Sequence, residues 1–180
     1  KLNYRGGRGT AQLVADGSSG GPFSIAANAA LRPNLYAVAL KGRASGIDFR
    51  LARPAIIRSA PAGYRLEPAT LVMPQGKVDL AGRFGRQTAL QARFKDFDLA
   101  IANIASPGLG IGGRATGTLD FAQSGTAFPT ATARIAISDF RRSSLSAVSD
   151  PAAMNVEGKL SSAGGDLRGL IRRGDATLGR

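Results

Sequence analysis

The chain has no cysteine, no tryptophan and no histidine. Without cysteine there is no disulfide framework and no thiolate chemistry, although an oxidising compartment permits disulfides without requiring them. Without histidine the commonest general base and the commonest metal ligand are both missing. Aromatic residues are sparse, at 6%. No apolar run approaches the roughly 18 residues of a membrane helix, and no signal peptide is recognisable. No stretch of helical length holds a 3.6-residue period. Metal-ligand spacings are absent as well. The residues 108–113, Gly-Leu-Gly-Ile-Gly-Gly, lack the flanking strand and helix of a phosphate loop. Asp96 and Asp98 are spaced to share one strand face, a pattern common on exposed strands. The sequence therefore assigns no catalytic residue, no cofactor and no metal, and the chain is not expected to be an enzyme.

What is present is a two-residue beat. Val78, Leu80 and Phe84 alternate with Lys77, Asp79 and Arg83. Leu90, Ala92 and Phe94 alternate with Gln91, Arg93 and Lys95, and Phe97, Leu99 and Ile101 continue the beat with Asp98 and Ala100 between them. Successive side chains of a strand point to opposite faces, so this is a sheet with one apolar and one wet face. Strands are expected near 8–16, 22–31, 34–43, 46–52, 55–60, 63–72, 76–85, 87–95, 97–102, 112–123, 129–139, 153–162 and 165–173. Pro- and Gly-containing breakers separate them, among them Pro33, Pro61, Pro74, Pro129 and Gly164. Short helical turns are expected at 99–105, before Pro107, and at 141–149, before Pro151.

The net charge of +12 invites a nucleic-acid reading. The basic residues, however, are spread along the chain, with Asp48, Asp79, Asp98, Asp120, Glu157 and Asp166 interleaved. That distribution suits a solvated face, and no nucleic-acid partner is expected. The beginning at Lys1, without Met, and the unbroken pattern up to Arg180 suggest one β-rich segment, residues 1–180, of a longer protein.

Glycines recur with the alternation: Gly76 and Gly82, Gly113 and Gly117, Gly165 and Gly169. Repeats of this kind fit an elongated sheet with contacts mainly between neighbours. A compact β-sandwich would look similar over any short window, and the pattern leaves both open.

Three runs carry a family resemblance: 64–82, beginning Tyr-Arg-Leu-Glu-Pro; 97–113, beginning Phe-Asp-Leu-Ala; and 113–129, with Gly113, Gly117, Gly125, Thr126 and Pro129. Together they resemble the recurring unit of the TamB family, in the AsmA-like superfamily of bridge-like lipid-transfer proteins. The resemblance covers about the last two-thirds of the chain and weakens before residue 50. It implies an elongated, curved antiparallel sheet, a taco-like half-pipe with an apolar concave lining. It also implies a periplasmic segment of an inner-membrane-anchored protein of a Gram-negative bacterium, with the anchor outside this segment. The implied role is a structural conduit that shields phospholipid acyl chains on their way to the outer membrane and supports outer-membrane protein assembly. The implied partners are those acyl chains and an outer-membrane barrel of TamA type. The competing reading is a surface or secreted β-solenoid of adhesin or autotransporter type.

If the sheet is a trough, its lining is the site. The candidates are Phe23, Ile25, Val38, Leu40, Ile47, Phe49, Leu66, Leu71, Val78, Leu80, Phe84, Leu90, Phe94, Leu99, Leu119, Phe121, Ile135, Ile137, Val156, Leu160 and Leu167. Small neighbours such as Ala11, Ala27, Gly82, Ala92 and Ala133 leave room between them. Arg43, Arg53, Arg58, Arg86 and Arg114, at strand ends, are placed to meet phosphate head groups.

Overall fold

The computed structural model describes residues 1–18, 22–104, 109–143, 149–174 and 176–179. It is one antiparallel sheet of fourteen strands. In chain order they are β1 (Leu2–Arg5), β2 (Arg8–Gly17), β3 (Phe23–Arg32), β4 (Leu35–Ala44), β5 (Ile47–Leu51), β6 (Ala55–Ala60) and β7 (Gly63–Met73). There follow β8 (Gly76–Gly85), β9 (Gln87–Asp98), β10 (Ile111–Ser124), β11 (Thr130–Arg142), β12 (Ala152–Ser161), β13 (Gly164–Arg173) and β14 (Ala176–Gly179). Each strand lies beside the next in sequence, except that β5 and β6 together fill one place between β4 and β7. Ala52, Arg53 and Pro54 interrupt that shared strand. Proline supplies no ladder donor, so a break there costs the sheet little.

Local chemistry makes the hairpins. Gly6 and Gly7 turn between Arg5 and Arg8 with φ of 59° and 79°, the all-positive geometry that matches strand twist. Ser45 and Gly46, with φ of 49° and 83°, do the same between Ala44 and Ile47. Curvature enters at bulges. The ladder shifts register between Leu66 and Ala69, between Ala115 and Gly117, and between Ile137 and Phe140. Two bulge residues, Asp96 and Asp139, sit at φ of 50° and 53°, a region that aspartate tolerates.

Among the described residues there is no second layer. The strands contact chiefly the strands they are hydrogen-bonded to. Accessible surface is 11995 Å², against about 8,200 Å² for a folded globular chain of 18.5 kDa. The described residues that are buried and apolar are small: Ala44, Ala55, Ala69, Val78, Ala92 and Ala115. No large side chain is fully buried among them. The compact sandwich left open by the sequence is thereby excluded, because a sandwich core would enclose its Phe, Leu and Ile side chains.

Two expected elements differ. The strand expected at 97–102 is instead the end of β9 followed by a 3-10 helix, Leu99–Ile104. Asp98 starts it by accepting a hydrogen bond from the Ala100 N–H at 2.9 Å. The short helical turn expected at 99–105 is therefore the element present over its described part. The turn expected at 141–149 lies largely outside the described residues; Arg141 and Arg142 belong to β11. The short outer strands β1 and β14 were not anticipated.

Candidate functional site

In an antiparallel ladder, residues directly opposite one another share a face. The register therefore sorts every strand residue. One row runs Leu71, Val78, Phe94, Gly117, Ile135, Val156 and Gly169, except for one bulge. The next runs Ala69, Leu80, Ala92, Leu119, Ala133, Gly158 and Leu167. A third runs Leu66, Gly82, Leu90, Phe121, Ala131, Leu160 and Gly165. In the N-terminal part, Ile25 pairs Gly42 and Gly42 pairs Phe49, while Ala27 pairs Leu40 and Ala29 pairs Val38. Phe23 and Ile47 both pair Ala44, and Phe84 pairs Tyr64.

All the candidate lining residues except Leu99 fall on this single apolar face. Leu99 opens the 3-10 helix, so the alternation running from Phe97 stops before it; the bulge at Asp96 lies upstream of Phe97, which stays on the apolar face. That bulge removes the supposed carboxylate pair. Asp96 turns through a positive φ, its N–H donating to Thr116 Oγ1 at 3.1 Å, while Asp98 caps the 3-10 helix. Leu31, Tyr36, Leu51, Ile57, Met73, Phe97, Met154 and Ile171 share the apolar face too, although the sequence list omits them. Their alternation was visible; nothing but the pairing partner distinguishes them from the residues chosen.

Large and small residues interdigitate along these rows. Phe49 lies over Gly42: a Cβ built at 42 would stand 2.6 Å from Phe49 Cζ. Phe23 covers Gly17 in the same way, at 2.6 Å. Phe94 and Phe97 meet edge to face, ring centres 5.7 Å apart. Among the described residues the face is half-covered by its own side chains and by nothing else. Val78 is buried, most of the row residues are half-exposed, and Leu13, Phe84, Leu160 and Leu167 are open to solvent.

The opposite face is hydrophilic. Thr70 Oγ1 donates to Asp79 Oδ1 at 2.6 Å, and Lys77 Nζ approaches Asp79 Oδ2 at 3.1 Å. The Thr70 hydrogen bond, then that of Lys77, holds the Asp79 carboxyl below the ordinary aspartate range. Further along, Arg134 and Glu157 pair at 3.7 Å. Such exposed pairs contribute roughly 0–1 kcal/mol each.

Two concavities open on this hydrophilic face. One, of about 1090 Å³, is walled by Arg65, Arg83, Ala89, Ala122 and Thr130 on one side and by Ala81, Gln91, Asp120, Thr132, Lys159 and Asp166 on the other, with the row of Leu66, Leu90, Phe121 and Leu160 between them. The second, about 690 Å³, lies among Ser24, Ala26, Lys41, Arg43, Asp48 and Arg50. The expected coincidence of concave side with apolar side is not what these grooves display. Antiparallel sheets twist, each face of a twisted sheet is hollow in one direction, and bulges add local curvature here.

The five arginines expected to meet head groups do not converge. Arg43 pairs with Asp48 at 3.7 Å, Arg58 with Glu67, and Arg114 donates to Gln75 at 3.0 Å. Arg43 and Arg114 stand at one rim of the sheet, Arg58 and Arg86 at the other, and Arg53 in the break between β5 and β6.

No family model, no curated protein and no solved structure matches the chain.

Proposed function

We propose that this chain is a segment of a periplasmic lipid conduit whose apolar sheet face shields phospholipid acyl chains, as the resemblance to the TamB family implies. The observation that carries the reading is the single-layered apolar face, continuous from β2 to β13 in register and covered by no other part of the described protein. A soluble monomer seldom leaves a contiguous apolar patch above roughly 300–600 Å² in water. The surface here exceeds that of a globular chain of its size by roughly 3,800 Å², and an occupant of the apolar face would take part of it out of water.

Acyl chains suit the surface chemically. Leucines and phenylalanines alternating with alanine and glycine make a rough, compliant lining without polar atoms that demand partners. Burial of a tail gains roughly 0.8 kcal/mol per CH₂ wherever the tail lies. A lining that repeats the same residue types therefore offers near-equal positions, and tails slide between them without a catalytic group.

The solenoid alternative loses ground on topology. A parallel β-helix stacks coils through parallel pairing, whereas every strand pairing described here is antiparallel. Support for outer-membrane protein assembly and a barrel partner of TamA type remain part of the proposal on the resemblance alone. The test is native mass spectrometry of protein purified from cells, with photo-reactive lipid labelling at Leu80 and Phe94. Co-purified phospholipid and label at both positions are expected; absence of both overturns the reading.

A further inference from the structure

The register reveals an arrangement that no stretch of the sequence displays. Arg5 faces Arg8 across the first hairpin. Arg8 and Arg32 are the residues that follow the last β2–β3 pair, Gly9 and Leu31. Arg32 faces Leu35, Leu35 faces Arg58, Arg58 faces Arg65, and Arg65 faces Arg83. Arg5, Arg8, Arg32, Arg58, Arg65 and Arg83 thus form one row on the hydrophilic face, along the rim that carries the turns at Gly6, Pro33, Pro61 and Arg86. At about 4.8 Å per strand the row is roughly 29 Å long. All these arginines are exposed. Among the described ion pairs just one involves the row, Arg58 with Glu67.

The row stops abruptly. Past Arg83 the same positions are Ala89, Ala122 and Thr130, and then Ser161. Like charges directly opposite one another destabilise a sheet, so a row of this length is a cost to folding that an external anion relieves.

The chain's three tyrosines stand at the same rim. Tyr4 and Tyr36 lie one position inside the arginine row, and Tyr64, beside Phe84, one position outside it, all on the opposite face. Tyr36 and Tyr64 have ring centres 6.0 Å apart. Tyr4, Tyr64 and Phe84 are exposed. Amphipathic tyrosines beside arginines are the combination that favours a membrane–water interface. A single-stranded nucleic acid would instead need aromatic rings on the basic face to stack its bases.

The geometry points to the β1–β8 rim as a docking edge for an anionic phospholipid surface, with the arginine row on the phosphates and the tyrosines at headgroup depth. This does not rest on the apolar face holding tails, and its test is separate.

The probe is flotation with phosphatidylcholine vesicles with and without phosphatidylglycerol. Each arginine near an anionic surface is worth roughly a fivefold change in partitioning. The Arg32→Gln/Arg65→Gln/Arg83→Gln variant is expected to lose roughly 100-fold on anionic vesicles. A control with the same charge change at the other rim, Arg141→Gln/Arg142→Gln/Arg172→Gln, is expected to lose no more than a few-fold. With no tryptophan, the intrinsic fluorescence is that of the tyrosines, and brominated lipid in anionic vesicles is expected to quench it. Equal losses in both variants, no binding by the parent protein, no quenching, or preferential capture by single-stranded DNA over vesicles at equal salt would each overturn the assignment. Circular dichroism of both variants confirms that the sheet is retained.

Discussion

Phe49 occupies the volume that any side chain at Gly42 would need; the built Cβ at 42 stands 2.6 Å from its ring and equally close to the Ser24 carbonyl oxygen. The ring closes the apolar face across three strands where no second layer would otherwise do so. Gly42→Ala is expected to displace it and to destabilise by about 1–3 kcal/mol. Urea denaturation checks this, and Phe49→Leu in the same background is expected to restore part of the loss by vacating the site.

A charge on the apolar face tests whether that face is a working surface. Leu80 sits between Ala69 and Ala92, half-exposed. Leu80→Asp is expected to reduce co-purified lipid and to lower stability by roughly 1–3 kcal/mol. Arg93→Gln, on the opposite face of the neighbouring strand, is expected to leave lipid content unchanged. Lipid content by native mass spectrometry separates the two.

The hydrophilic face responds to acid at one identified place. The Asp79 carboxyl is held below its ordinary range by Thr70 and Lys77. A carboxyl whose folded value is depressed stabilises the fold above the unfolded value, about 4, and that contribution is lost as pH falls through the folded value. Asp79→Asn and Thr70→Ala are therefore expected to lower Tm near neutrality, with the difference from the parent shrinking below about pH 4. The effect is modest because the Asp79 side chain is 41% exposed. Thermal melts across the acid range measure it.

Arg65 lies between Arg58 and Arg83 in adjacent strands. Arg65→Gln is expected to raise stability by a few tenths of a kcal/mol in low salt. Added salt, which screens exposed charge over about 10 Å at 0.1 M, is expected to raise the parent more than the variant. A loss of stability on this substitution would show that the row does not repel itself.

Hydrogen exchange reads the single layer directly. Amides of β8, β9 and β10 around Val78, Ala92 and Ala115, the buried positions, are expected to be the best protected. Protection is expected to fall towards β1 and β14, whose outer sides have no neighbour.

How much of this was legible beforehand follows from what each feature depends on. Alternation such as Val78, Leu80 and Phe84 is local, and it placed these side chains on one face correctly. The turn at Arg32–Asn34 was legible too, and Asn34 carries a positive φ there, whereas the turns at Gly6 and Gly46 were not expected. Leu99 was misassigned because the chain leaves the strand for a 3-10 helix at that residue, and the alternation of Phe97, Leu99 and Ile101 does not mark where the strand ends. The break at Ala52–Pro54, which lets β5 and β6 share one place, is likewise set by partners on either side. The arginine row was out of reach for the same reason. Arg32 and Arg65 are far apart in the chain, and what brings them into one line is which residue of each strand faces which. The absence of a second layer is a global property, and a sandwich and an open ribbon write the same short-range pattern.

Because the strands follow one another in sequence order, β5 and β6 sharing one place, and β1 and β14 end the sheet among the described residues, nothing in this topology counts strands. A barrel fixes its own circumference; this ribbon does not. Excising the hairpin of β12 and β13, or duplicating it, alters length without disturbing a distant partner. Evolution is thereby free to stretch or trim such a protein by whole hairpins without rebuilding the rest of the sheet.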